Sequence, residues 1–175
     1  MKIVQATLDD LEQIWNLRLE TTELLKQRGI DQWQYKDPAQ EIFIKDILNK
    51  EFYVAKDEAG SVLGMMSVKE GIELTYNIIY DGAWRFNAPY LTIHRLAVKK
   101  SLLGSDIAKQ LMAYSEQIAL KLKTPYIRID THEKNKYAIR LFESFGYIYC
   151  GWINLVQDKG DIKRLAYDKE IGKDK

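Results

Sequence analysis

The sequence predicts an α/β fold, a mixed and mostly antiparallel twisted sheet flanked by helices. Three observations carry this reading. Runs of helical period and runs rich in β-formers alternate along the 175 residues. Two β-rich runs, 52–57 and 62–68, are separated by a short stretch holding Glu58, Ala59 and Gly60, the spacing of a hairpin, so they are antiparallel neighbours. Finally, 91–131 reads as strand, tight turn, helix and strand in succession.

Residues 2–6 form a short strand. Thr7 followed by Asp10 resembles a capping box that starts a helix through Leu11, Ile14, Trp15 and Leu24, and Gly29 stops it. The stretch 30–38, with Gln32, Trp33, Gln34 and Tyr35, has turn residues at both ends and no period; helix resumes over 39–49 on Ile42, Phe43, Ile44 and Ile47. After the hairpin, 71–89 turns polar and aromatic, with Tyr76, Tyr80, Trp84 and Phe86. A stretch this long is either a functional loop or a long tip with packed aromatics, and both readings stand.

Residues 91–98 are apolar enough for a central strand. The turn 99–104 follows, and Ser105 opens a helix whose buried stripe is Ile107, Leu111, Ile118 and Leu122. Residues 126–131 form a strand, 135–144 a short helix with Ala138, Leu141 and Phe142 inward, and 147–156 and 163–169 a closing pair of strands. With 46% hydrophobic residues the chain has ample core for one domain over 1–171, and the charged tail 172–175 is expected to fray.

Composition excludes several function classes. The 26 basic and 25 acidic side chains leave a net charge of +1, too little to gather nucleic acid by counterion release. One cysteine rules out an internal disulfide, and two histidines with that cysteine give no zinc spacing, so the expectation is no metal and a reducing, cytoplasmic location. No stretch approaches the roughly 20 apolar residues of a membrane span.

The informative stretch begins at the turn after Val98. A helix N-terminus presents unpaired N–H groups and the positive end of its dipole to an anion, so the turn before Ile107 could cradle a pyrophosphate. Its partner is Ile129-Asp130-Thr131-His132-Glu133-Lys134-Asn135, followed by Ala138 and Phe142 and then Ser144-Phe145-Gly146-Tyr147. Together these resemble the GNAT N-acetyltransferase superfamily, in which a strand ends in an apolar triplet and a Q/R-x-x-G-x-G/A turn, a helix and an N-x-x-A-x-x-x-Y segment follow. The resemblance covers nearly the whole chain in element order and is strongest over 91–167.

That resemblance implies that strands 91–98 and 126–131 run parallel and splay apart. Leu96, Ala97 and Val98 would then pair by their backbone with the pantetheine arm of acetyl-CoA, and Leu103, Gly104, Ser105, Asp106, Ile107 and Ala108 would form the phosphate turn. Leu103 stands where the family has Gln or Arg, and Asp106 where it usually has Gly. A register starting at Ser101 also keeps Gly104 but loses Ala108. Asn135 matches an Asn that often contacts the cofactor, and it also suits a plain N-cap. Phe142 occupies the position of a Tyr that protonates the leaving thiolate, which a phenyl ring cannot do.

Candidate bases are Asp130, on a strand face shared with Arg128 and Tyr126, and His132 at the strand end. His94, sharing a face with Leu96 and Val98, reads as a core imidazole, and Cys150, among Ile148, Tyr149 and Trp152, as core rather than nucleophile. Trp33, Tyr35, Tyr76 and Trp84 are candidates to line the acceptor pocket. The implied activity is acetyl-CoA-dependent N-acetylation of a primary amine of a small molecule or peptide. The amine attacks the thioester directly while backbone N–H groups of 96–98 polarise the oxygen. The alternative, suggested by Phe142 and Asp106, is a non-catalytic acyl-CoA-binding module. The aromatic final strands could pair across a homodimer.

Overall fold

The computed structural model describes residues 1–156 and 159–172. Its elements are β1 (Lys2–Gln5), α1 (Leu11–Gln27), α2 (Gln40–Leu48), β2 (Phe52–Lys56), β3 (Val62–Glu70), β4 (Leu91–Val98), α3 (Ile107–Lys121), β5 (Tyr126–Thr131), α4 (Lys136–Ser144), β6 (Ile148–Asn154) and β7 (Lys163–Glu170). The strands form one seven-stranded sheet in the order β1-β2-β3-β4-β5-β7-β6, with every pairing antiparallel except β4 with β5. The tail expected to fray lies, beyond Gly172, outside the described residues.

Local chemistry sets the element ends. Asp10 accepts a bond from the Thr7 N–H at 3.0 Å, but the first turn it closes is a 3-10 turn, and α1 begins only at Leu11. Gly29, at φ +67°, takes the left-handed conformation that ends α1. In α3 the buried face is Ile107, Leu111, Met112, Ser115 and Ala119. Leu122 is exposed, because it caps the helix instead of continuing its stripe.

The two faces of the sheet carry separate cores. On one, α1 and α2 cover the first half through Ile14, Phe43, Phe52, Val54 and Met65. On the other, α3 and α4 pack Leu111, Met112 and Phe142 against Ile127, Ile129 and Tyr167. Each fully buried side chain of this size contributes about 1.5–3 kcal/mol. Among the described residues no helix is long and apolar enough to cross a membrane.

The long connection between β3 and β4 is packed on the face of β5, β7 and β6. It contains one 3-10 turn, Leu74–Tyr76, and a bridge from Tyr80 to Trp152. Arg128, buried on β5, pins it: its guanidinium sits 4.0 Å from the Tyr90 ring and 4.5 Å from Trp84, and donates to the Phe86 carbonyl at 3.0 Å. Asp168 on β7 accepts from the Arg85 N–H at 2.9 Å and the Tyr126 hydroxyl at 2.7 Å. Gly82 meets β6 so closely that a Cβ there would lie 1.9 Å from the Cys150 carbonyl oxygen.

Candidate active site

The site begins with a break in the sheet. β4 and β5 pair only at Leu91 with Ile127 and Thr92 with Arg128, and then diverge. On the other side of β4, Met65 opposes Ala97 and Ser67 opposes His94, so two residues, Arg95 and Leu96, face the single Met66. Arg95 takes φ +54° to make this bulge. The Lys99 N–H donates to the Leu63 carbonyl at 2.9 Å, so by strand alternation Leu96 and Val98 turn their backbone groups toward the edge that β5 has left.

The bulge also resets the faces of β4. Leu91 and Ile93 before it, and Leu96 and Val98 after it, pack with α3, whereas His94 and Arg95 both turn to the opposite face. His94 therefore does not share a face with Leu96 and Val98; the extra residue cancels the alternation on which that reading rested. Arg95 is held by Asp46 of α2, which is fully buried and also accepts from Ser67 at 2.9 Å and Lys69 at 3.0 Å. Burial pulls the Arg95 guanidinium down to about 10.

Beyond Val98 the chain reaches the N-terminus of α3. Gly104 adopts φ +85° with open space around it, which keeps the backbone approachable from outside. Asp106 directs its exposed carboxylate to Lys109, at 3.2 Å, so it is paired on the surface of the turn. The first N–H groups of α3 have no carbonyl one turn earlier to bond.

A cavity of about 260 Å³ opens where the strands part. Its walls are 93–96 of β4, 129–131 of β5, the loop 31–38, and Asn135, Ala138 and Phe142 at α4. Asn135 caps α4 by accepting from the Ala138 N–H at 3.3 Å, and its amide donates to Gln32 of the loop at 3.3 Å. Trp33 and Tyr35 line the cavity at φ +61° and +57°; the loop is tied to α1 by Thr22, whose hydroxyl donates to the Trp33 carbonyl at 3.2 Å. Asp31, Asp37 and Asp130 give the lining its acids. Arg164, buried, donates to the carbonyls of Asp161 and Lys163, and burial lowers its pKa.

Two side chains of the lining are gripped from behind. Asp130 accepts a 2.6 Å hydrogen bond from Tyr76, whose buried phenol is pushed well above its ordinary range by desolvation and by that carboxylate. His94 Nε2 lies 3.0 Å from Glu73 Oε2, and that bond, outweighing the opposing effect of burial, brings the Glu73 carboxyl down to about 2. Thr75 adds donors to Glu73 from its N–H at 3.3 Å and its hydroxyl at 2.9 Å.

Of the residues singled out in the sequence, the cavity gathers Asp130, Leu96, Asn135, Phe142, Trp33 and Tyr35. Tyr76 reaches it only through Asp130, and Trp84 lies behind Tyr76, their rings 5.0 Å apart. Ala97 is buried against the α1 and α2 core, and neither it, Val98 nor any residue of the turn 103–108 lines the cavity. His132 is elsewhere: it is buried, with Nε2 on Asp161 at 3.0 Å and Nδ1 accepting from the Lys134 N–H at 3.1 Å, so both ring nitrogens are engaged. Glu73, Gln32, Arg95 and Arg164 were not legible as site residues, since none belongs to a periodic pattern that points inward.

The acetyltransferase (GNAT) family profile matches residues 11–147. A GNAT-family acetyltransferase from Streptococcus agalactiae 2603 superposes with a TM-score of 0.86 at 34% identity, covering 98% of this chain and 96% of that one. The PaiA N-acetyltransferase of Thermoplasma acidophilum, in complex with coenzyme A, superposes with a TM-score of 0.69 at 18% identity over 97% and 98% of the two chains. The ribosomal-protein-alanine N-acetyltransferase of Brucella melitensis gives 0.68 at 21% identity over 98% and 100%. None of the curated proteins matches the chain in sequence.

Proposed function

The chain belongs to the GNAT acetyltransferase family, and from that premise we propose that it transfers an acetyl group from acetyl-CoA to a primary amine of a small molecule or peptide. The observation that carries this reading is the parting of β4 from β5 after two residue pairs, beside a glycine-containing turn at a helix N-terminus. The cleft fits the donor. Leu96 and Val98 would hold the amides of its pantetheine arm by their backbone, and 103–108 its diphosphate. When bound, acetyl-CoA supplies an activated acyl group.

The chain's own residues supply the rest. Asp31, Asp37 and Asp130 outnumber Arg95 and Arg164 in the lining, and Arg95 is already paired with Asp46, a balance that supports a cationic acceptor such as an amine. Backbone N–H groups on the open edge of β4 polarise the acyl oxygen. Proton removal from the amine falls to the groups on the cavity floor, where Asp130 and His94 stand and His132 does not. Phe142, packed 5.7 Å from Tyr167, contributes shape and no proton. Holding both reactants in one cleft accounts for much of the acceleration such a site needs.

Phe142 also supports the second reading, an acyl-CoA-binding module without turnover. One experiment separates the two. The protein is mixed with acetyl-CoA and a panel of alkyl amines, diamines, amino-acid amides and short peptides, and thiol release and N-acetyl product are followed, with thermal shift reporting binding. Product with at least one acceptor, reduced in Asn135→Ala, supports the enzyme. A raised melting point with no product from any acceptor supports the module, and no shift at all overturns both.

A further inference from the structure

Resting on the acetyltransferase reading, we propose that His94 Nδ1 takes the proton from the acceptor amine and that Glu73 is the positioning residue that fixes its tautomer. With Nε2 3.0 Å from a carboxylate oxygen, Nε2 carries the hydrogen and the lone pair resides on Nδ1, the nitrogen left for the cavity that His94 lines. Asp130 has a different task. Its Oδ2 already accepts from Tyr76, and it presents a fixed negative charge that draws in the ammonium form of the acceptor.

The bulge at Arg95 makes this arrangement. Without the extra residue, β4 would keep a single alternation through Val98, whereas the bulge turns His94 and Arg95 to the same face and commits Arg95 to Asp46. Arg95 thereby braces the strand next to the imidazole without competing for the acceptor. Glu73 is braced in turn, since Thr75 bonds its Oε1 and the Tyr90 hydroxyl accepts its backbone N–H at 2.9 Å. Oε2 is the oxygen left for His94.

In the step, one proton of the ammonium passes to His94 Nδ1, and the lone pair so freed forms the N–C bond to the acyl carbon, after which the bonded nitrogen gives up its second surplus proton to solvent water. The C–S bond breaks with its electron pair on the sulfur of CoA. Through solvent water the nitrogen's second proton reaches the thiolate, and the first leaves His94 to bulk solvent, so the products are the amide, CoA thiol and one released proton. The imidazolium formed in between is stabilised by the Glu73 carboxylate.

The Glu73→Gln variant discriminates, because the two donors of Thr75 keep the amide oxygen on their side. The amide N–H₂ then faces Nε2, which must become an acceptor, and the hydrogen moves to Nδ1. The chain has only two histidines, so imidazole ¹⁵N spectra, assigned with His132→Asn, read the tautomer directly. The expected result is Nε2–H at His94 in the wild type and in Glu73→Asp, and Nδ1–H in Glu73→Gln. Alongside, kcat with acetyl-CoA and an accepted amine falls about a hundredfold or more in Glu73→Gln and in His94→Gln, with KM for acetyl-CoA unchanged and partial recovery in Glu73→Asp. An Nδ1–H tautomer in the wild type, or turnover that survives both substitutions, overturns the inference alone. Absence of product from the wild type overturns the acetyltransferase reading and the inference with it.

Discussion

Glu73 and Tyr76 stand at the two ends of one short 3-10 turn and hold two different strands, Glu73 through His94 of β4 and Tyr76 through Asp130 of β5. The strands diverge at this level, so a turn from the long connection bridges them where their own backbones do not. Side-chain geometry at the cavity floor therefore depends on a segment with almost no regular structure.

Replacing Tyr76 with Phe leaves the ring packing intact and removes the donor to Asp130. The expected cost is about 1–3 kcal/mol of stability from the lost partner, with a raised KM for the amine as Asp130 shifts. Urea denaturation and steady-state kinetics check both, and unchanged values for each would contradict the role given to Tyr76.

Among the described residues Asp46 is the sole carboxylate bonded to Arg95, and it has no exposure to solvent. Asp46→Ala strands a buried guanidinium and should destabilise the fold by about 3–5 kcal/mol. Chemical denaturation measures this, and a loss below 1 kcal/mol would mean that water or another group replaces the carboxylate.

The Glu73 carboxyl sits at about 2 against an ordinary 4.5, a depressed value. Its pairing therefore contributes stability in full above about pH 4.5, lost as pH falls towards about 2. The melting-temperature gap between wild type and Glu73→Gln should be constant at neutral pH and close across that acid window. A gap that persists at pH 2 contradicts the pairing.

Burial, aided by Asp168, pushes the Cys150 thiol up to about 12. At pH 8 the folded protein should react with iodoacetamide far more slowly than the urea-unfolded chain, and mass spectrometry of timed samples will show it. Equal rates would place the thiol in a setting unlike this one.

Gly104 at φ +85° has open space where a Cβ would go, so Gly104→Val meets backbone strain and no clash. The expected cost to stability is about 1–2 kcal/mol, with acetyl-CoA binding weakened at least tenfold and KM for the amine little changed. Calorimetric titration with acetyl-CoA decides it; an unaltered Kd would remove the turn from the donor site.

The elements were legible because their signals are local. β4 and β5 lie at the bounds that their apolar runs and flanking turns indicate, and the hairpin of β2 and β3 follows from Gly60. The cavity floor was harder to read. Arg95 makes the bulge at positive φ with no glycine to announce it, and that one residue puts Leu96 and Val98 on the face opposite His94, against the simple alternation. His132 looked accessible at a strand end, but Asp161, from the far side of the β6–β7 connection, covers it. Glu73 and Gln32 act from irregular segments, whose partners lie 21 and 103 residues away, beyond the reach of any short-range pattern.

The short seam between β4 and β5 has a mechanical consequence. Two half-sheets, one of four strands and one of three, meet along only Leu91, Thr92, Ile127 and Arg128, all of them buried. Variation at the loop tips can retune what enters the molecule, while a change at any of these four positions loads the joint on which both blades hang.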